Sequence, residues 1–143
     1  MGARRVSLVV AAVCAAGCGT ADAPSDPTCV AAPRECQPLY APTFDALFER
    51  TLNPTCGVGG STCHASGGAG THGGVVFDNP DRAYQALVAD RSWKIVDPGK
   101  PECSKIVYKI VSSDPYVTMP PGRPMSDAER CVIVSWIAAG AHR

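Results

Sequence analysis

Apolar positions along this chain recur mostly three and four residues apart, the spacing of a helix face rather than of a strand. The clearest run lies near the end. Val132, Ile133, Trp136 and Ile137 share one helical face, Ser126 and Glu129 form a capping box ahead of them, and Gly140 supplies a stop. Upstream, Thr43 after Pro42 caps a predicted helix with Phe44, Leu47, Phe48 and Leu52 on one side, and Asn53-Pro54 ends it just before Cys56. Asn79 followed by Pro80 opens another, with Tyr84, Leu87 and Val88 on its buried side. Asp97-Pro98-Gly99-Lys100-Pro101 reads as a turn. It leads into a helix over about residues 103–111, where Ile106, Val107 and Ile110 are apolar. Strand signals are weak, with Gly74-Val75-Val76-Phe77 the only short candidate. Between Gly57 and Gly74 the glycine content excludes a regular element. The predicted class is all-α: a small bundle of about four short helices joined by long Gly/Pro-rich loops. Loops of that kind imply that a cofactor, disulfides or both help to hold the domain.

The first residues follow a different pattern. Met1-Gly2-Ala3-Arg4-Arg5 is basic, and Val6 to Ala16 is an apolar run too short to span a bilayer, so the start reads as an export signal. Its end, Ala15-Ala16-Gly17-Cys18, resembles the lipobox of bacterial lipoproteins. That resemblance implies cleavage before Cys18, acylation of this residue, and stable attachment to a membrane of the cell envelope, at the periplasmic face or outer membrane. The alternative is an ordinary secretory signal in which Cys14 and Cys18 are incidental. The expected organisation is a lipoprotein signal peptide over 1–17, a lipid-anchored tether with a Cys29/Cys36 loop over 18–39, and a folded domain over 40–143. Loss of Arg4 and Arg5 leaves 11 basic against 13 acidic residues, a net charge of −2 with no basic patch for nucleic acid. The sequence contains no internal repeat and no second apolar stretch of membrane-spanning length.

Candidate chemistry is concentrated in Cys63-His64, with Cys56 upstream and Met119-Pro120-Pro121-Gly122 downstream. A histidine directly after a cysteine is how a c-type haem is usually held: the thiol bonds to the porphyrin edge and the imidazole to iron, with a later methionine as sixth ligand. The usual spacing is C-x-x-C-H, whereas six residues separate Cys56 from Cys63 here. Beyond the leader and Cys18, six cysteines remain: Cys29, Cys36, Cys56, Cys63, Cys103 and Cys131. An even number in an exported domain argues for bridges. With Cys56 and Cys63 assigned to haem, the simplest pairing is Cys29 with Cys36 and Cys103 with Cys131.

From about Tyr40 onward the order of elements resembles the cytochrome c-like domains of exported bacterial proteins. It runs through a helix, Cys63-His64, a glycine-rich loop, Val96-Asp97-Pro98-Gly99-Lys100-Pro101, Met119-Pro120-Pro121-Gly122, Ser126-Asp127-Ala128-Glu129 and a closing Trp136-Ile137-Ala138-Ala139-Gly140-Ala141. The resemblance covers about 100 residues. It implies covalent haem c, His64 as proximal and Met119 as distal iron ligand, Cys63 as one thioether and, by order rather than spacing, Cys56 as the other. It also implies that Trp136, by itself read as a core residue, packs near the porphyrin, and it implies redox proteins as partners and electron carriage rather than catalysis, because both axial positions are filled.

Other readings of the same residues stay open. A Cys56–Cys63 bridge would staple the glycine loop and leave His64 an exposed neighbour. Met119 would then be a core filler, and the whole a haem-free, disulfide-stapled envelope lipoprotein with a binding or structural role. Met125 reads as a packing residue, and Trp93, Tyr84 and Tyr108 as packing or surface residues. A bis-histidine or small metal site would use His64 with His72, and His142 falls in an expected frayed end. No Ser/His/Asp constellation, paired-carboxylate motif or phosphate loop points to an enzyme.

Overall fold

A computed structural model describes residues 29–57, 63–67, 75–89, 91 and 93–143. Four short α-helices are present, with no strand among the described residues, so the all-α class holds. Residues 75–77, the strand candidate, are irregular. The leader, Cys18 and His72 lie outside the described residues, and no helix among those described is long and apolar enough to cross a membrane.

Helix α1 (Phe44–Leu47) begins at Thr43, whose Oγ1 accepts the Ala46 N–H at 3.4 Å, and continues as a π-helical segment, Phe48–Cys56. The helix does not stop at Asn53-Pro54 as expected. In α geometry the Pro54 ring would crowd the carbonyl four residues back, and the wider π turn gives it room. The Gly57 N–H closes the segment on the carbonyls of Leu52 at 2.8 Å and Asn53 at 3.0 Å. Cys56 therefore sits on the last helical turn rather than beyond it.

Helix α2 (Pro80–Tyr84) is capped by Asn79, whose Oδ1 accepts the Arg82 N–H at 3.0 Å, and runs into a π turn, Gln85–Ala89. Its buried residues are Ala83 and Leu87, while Tyr84 and Val88 are half-buried. A 3-10 turn, Pro101–Cys103, precedes α3 (Lys105–Val111), which buries Val107 and Ile110. Helix α4 (Asp127–Ala138) has the predicted capping box: Ser126 Oγ accepts the Glu129 N–H at 3.3 Å and Glu129 Oε2 accepts the Ser126 N–H at 2.8 Å. These bonds with Ser126 hold the Glu129 carboxyl below the usual range. Gly140 ends the helix at φ 100°, a conformation that few other residues adopt.

The core is centred on Phe44, with the Tyr84 ring edge-on at 5.0 Å and the Trp136 ring at 5.8 Å. Residues after Gly140 are tied into it rather than frayed. Trp136 Nε1 donates to the His142 carbonyl at 2.8 Å, Tyr84 donates to the Ala141 carbonyl at 3.1 Å, and Arg143 pairs with Asp81.

Two disulfides fasten the segment ahead of α1. The expected pairing is not the one formed: Cys29 bonds Cys103, and Cys36 bonds Cys131. The segment from Cys29 to Tyr40 lies as an irregular strap over the 3-10 turn and α4 instead of turning back on itself. The Val30 N–H bonds the Glu102 carbonyl at 2.8 Å, Arg34 pairs with Glu102 at 2.8 Å, and the Leu39 N–H reaches the Ala128 carbonyl at 3.2 Å. The bonds span 74 and 95 residues of sequence. Each closes a loop worth about 4.5 kcal/mol in the chain-entropy account, taken singly.

Candidate cofactor site

One cavity of about 520 Å³ lies between the end of the π segment, α3, the Met119 turn and α4. Cys56, Cys63, His64 and Met119 all line it, although 63 residues of sequence separate the first from the last. The rest of the wall is mostly apolar and includes Leu52, Phe77, Ile95, Ile110 and Ile133. Its size is that of a small-molecule or cofactor site.

Each side chain is placed by a local backbone arrangement. Cys56 is fixed by the helical turn that ends there. The His64 N–H bonds the Cys56 carbonyl at 3.0 Å, and the Phe77 N–H bonds the His64 carbonyl at 2.7 Å. His64 Nδ1 faces the Val75 carbonyl at 3.2 Å. A carbonyl only accepts, so this contact puts the proton on Nδ1 and leaves the Nε2 lone pair for a metal. The Phe77 ring stands 5.2 Å from the imidazole. The Ser66 N–H donates to Asp78 Oδ2 at 2.9 Å, and the hydrogen bonds from Ser66 hold the Asp78 carboxyl below its ordinary range.

Gly57 is what lets the two layers meet. A Cβ there would stand 2.5 Å from the Phe77 carbonyl oxygen and 2.9 Å from that of Asn53. The Phe77 carbonyl also accepts the Asn53 side-chain amide at 2.9 Å. The segment over residues 75–77 is thus bonded to the helix exit on one side and to His64 on the other.

Cys56 and Cys63 take part in neither disulfide. Burial pushes the Cys56 thiol up to about 11, and the nearby Cys63 adds to the effect. The Met119 N–H bonds the Lys109 carbonyl at 3.0 Å, which ties the Met-Pro-Pro turn to α3. Met125 is 5 % exposed and belongs to the core, but it also reaches the cavity wall. Trp136 is a core residue, as its helical period indicates, and does not line the cavity where the resemblance would put it. It packs against Phe44 at 5.8 Å, and of the α4 residues Ile133 lines the cavity instead.

Residues 61–122 match the family model described as Planctomycete cytochrome C. This likeness to a cytochrome c-like domain covers less than half of the chain. It takes in Cys63, His64 and Met119 and begins after Cys56. No curated protein and no solved structure matches the chain.

The residues present fit a c-type haem. Two thiols, an imidazole with Nε2 available and a thioether converge on one largely apolar cavity. No group of three or more His, Cys, Asp or Glu side chains among the described residues is placed to hold a bare metal ion. Among the cavity residues without a sequence signal as site residues are Trp93, Lys105 and Lys109. Lysines on an amphipathic helix read as solvated surface, and only the tertiary placement of α3 brings these two to the cavity.

Proposed function

We propose that this protein is a c-type haem protein that carries electrons in the cell envelope, held to a membrane by lipid on Cys18. The observation that carries the reading is the convergence of Cys56, Cys63, His64 and Met119 on one cavity, with both of these thiols outside the disulfides. The match over residues 61–122 supports it independently, because it includes the Cys-His pair and the Met-Pro-Pro-Gly turn. The lipoprotein leader supports the location.

Bound haem c supplies a one-electron couple. The protein's part is attachment, ligation and insulation. Cys56 and Cys63 would provide the thioether sulfurs, His64 a nitrogen and Met119 a sulfur to the iron, and a thioether ligand would raise the potential. The bond from His64 Nδ1 to the Val75 carbonyl fixes the ligating tautomer. The apolar wall restricts water around the site, which favours outer-sphere electron transfer over chemistry on a substrate.

The test is to express the full chain in an exporting host that also makes haem-attachment machinery, and to record the visible spectrum and the denatured mass. A sharp reduced c-type spectrum with one covalently retained haem is the expected result. A colourless product with Cys56 bonded to Cys63 would overturn the reading and leave a disulfide-stapled envelope module.

A further inference from the structure

Helix α3 places Lys105 and Lys109 four residues apart, on one face, and both line the cavity that holds the Cys-His pair. They are the only charged residues in its wall among those described, and no carboxylate lines it. Both lysines are half-buried. Neither has a carboxylate partner among the described residues, where Lys105 Nζ instead stands over the Trp93 ring at 5.3 Å from its centroid. Trp93 is 52 % exposed, so this corner is where the cavity meets water. Long basic side chains in such a position lay their methylenes along the apolar wall and keep the ammonium at the mouth.

An apolar cavity whose wall carries two lysines and no carboxylate favours a ligand that is apolar over most of its area and anionic at one edge. We infer that Lys105 and Lys109 form a carboxylate subsite that takes the acidic edge of the macrocycle and so sets its orientation in the cavity. This rests on the haem reading above and adds to it the polar end of the site. Because the Lys109 carbonyl also accepts the Met119 N–H, the same turn of α3 fixes the carboxylate partner and the Met119 turn. The subsite is electrostatic and open to solvent. Each lysine is therefore worth about threefold in affinity and the pair about tenfold, with the preference fading at high salt.

The test uses the full chain made without attachment machinery, with its disulfides intact. Iron protoporphyrin IX and its dimethyl ester, which lacks both carboxylates, are titrated separately in the same detergent buffer and followed by Soret absorbance. Lys105→Gln, Lys109→Gln, the double glutamine variant and the double arginine variant are compared, with circular dichroism to establish that each is folded. The wild type is expected to bind the diacid about tenfold more tightly than the ester at low salt. The double glutamine variant should lose that preference with its ester affinity unchanged, and the arginine variant should keep it.

Equal binding of diacid and ester by the wild type overturns the subsite while leaving the haem reading intact. So does an equal loss of both ligands in the glutamine variants. Failure of the folded wild type to bind either porphyrin overturns the haem reading and the subsite with it.

Discussion

The Nδ1 atom of His64 lies 3.2 Å from the carbonyl oxygen of Val75, a bond that joins the two ends of the glycine-rich loop across 11 residues of sequence. The hydrogen bond that orients the imidazole is therefore made to backbone. No single side-chain substitution removes the acceptor, and the tautomer that leaves Nε2 open is set by the path of the chain.

The two methionines of the cavity should separate cleanly on mutation. In haem-loaded protein, Met119→Ala is expected to weaken the low-spin spectrum and lower the reduction potential, because it removes the thioether ligand. Met125→Ala should leave both unchanged and instead cost about 2 to 5 kcal/mol in denaturant unfolding, since Met125 is a buried core residue. The opposite pattern would move the ligand to Met125.

Gly57→Ala tests the close crossing of the helix exit and the segment over residues 75–77. The added methyl would stand against the Phe77 carbonyl, so one layer has to move. A loss of about 1 to 3 kcal/mol is expected, with weaker haem retention because His64 is bonded to the displaced segment. Wild-type stability and spectrum in this variant would show that the crossing is not needed to place His64.

Replacing either disulfide pair, Cys29 with Cys103 or Cys36 with Cys131, by serine should lower stability by about 2 to 5 kcal/mol and leave haem attachment possible. Identification of the cross-linked peptides by mass after non-reducing proteolysis checks the pairing directly. Bridges between Cys29 and Cys36, or between Cys103 and Cys131, would contradict the strap.

Alkaline pH should destabilise the haem-free chain through Cys56. Its folded pKa is raised from the ordinary 9.0 to about 11, so the thiol keeps its proton in the fold after the unfolded chain has lost it. The associated stability is complete below pH 9 and falls away as pH rises towards 11. A component of thiolate absorbance titrating near pH 11 is expected, and Cys56→Ser should abolish it. Titration of that component near its ordinary value would mean that Cys56 is not buried as described.

Local signals were legible and distant relations were not. The Ser126–Glu129 box and the period of Val132, Ile133, Trp136 and Ile137 predict α4 because capping and helix amphipathicity act within a few residues. The four proposed haem residues were likewise nameable from sequence, since adjacency of Cys63 and His64 is itself the chemical motif. The helix end was misplaced because Asn53-Pro54 is a breaker only in α geometry, and the π turn evades it. Disulfide partners escaped because cysteines close in sequence are not thereby close in space: the strap carries Cys29 to the 3-10 turn and Cys36 to α4. Trp136 is legible as core from its helical period, whereas which neighbour it meets is not, since that depends on where Phe44 packs. Lys105, Lys109 and Trp93 became visible only once α3 was placed.

The bond from the His64 amide to the Cys56 carbonyl, at 3.0 Å, closes the interval that holds Cys63 at its base. How many residues run between the two cysteines then matters less than whether the chain returns to that carbonyl. Insertions or deletions between Gly57 and Cys63 should be tolerated wherever the return survives, so motif spacing is a feature that can drift among descendants while the site persists.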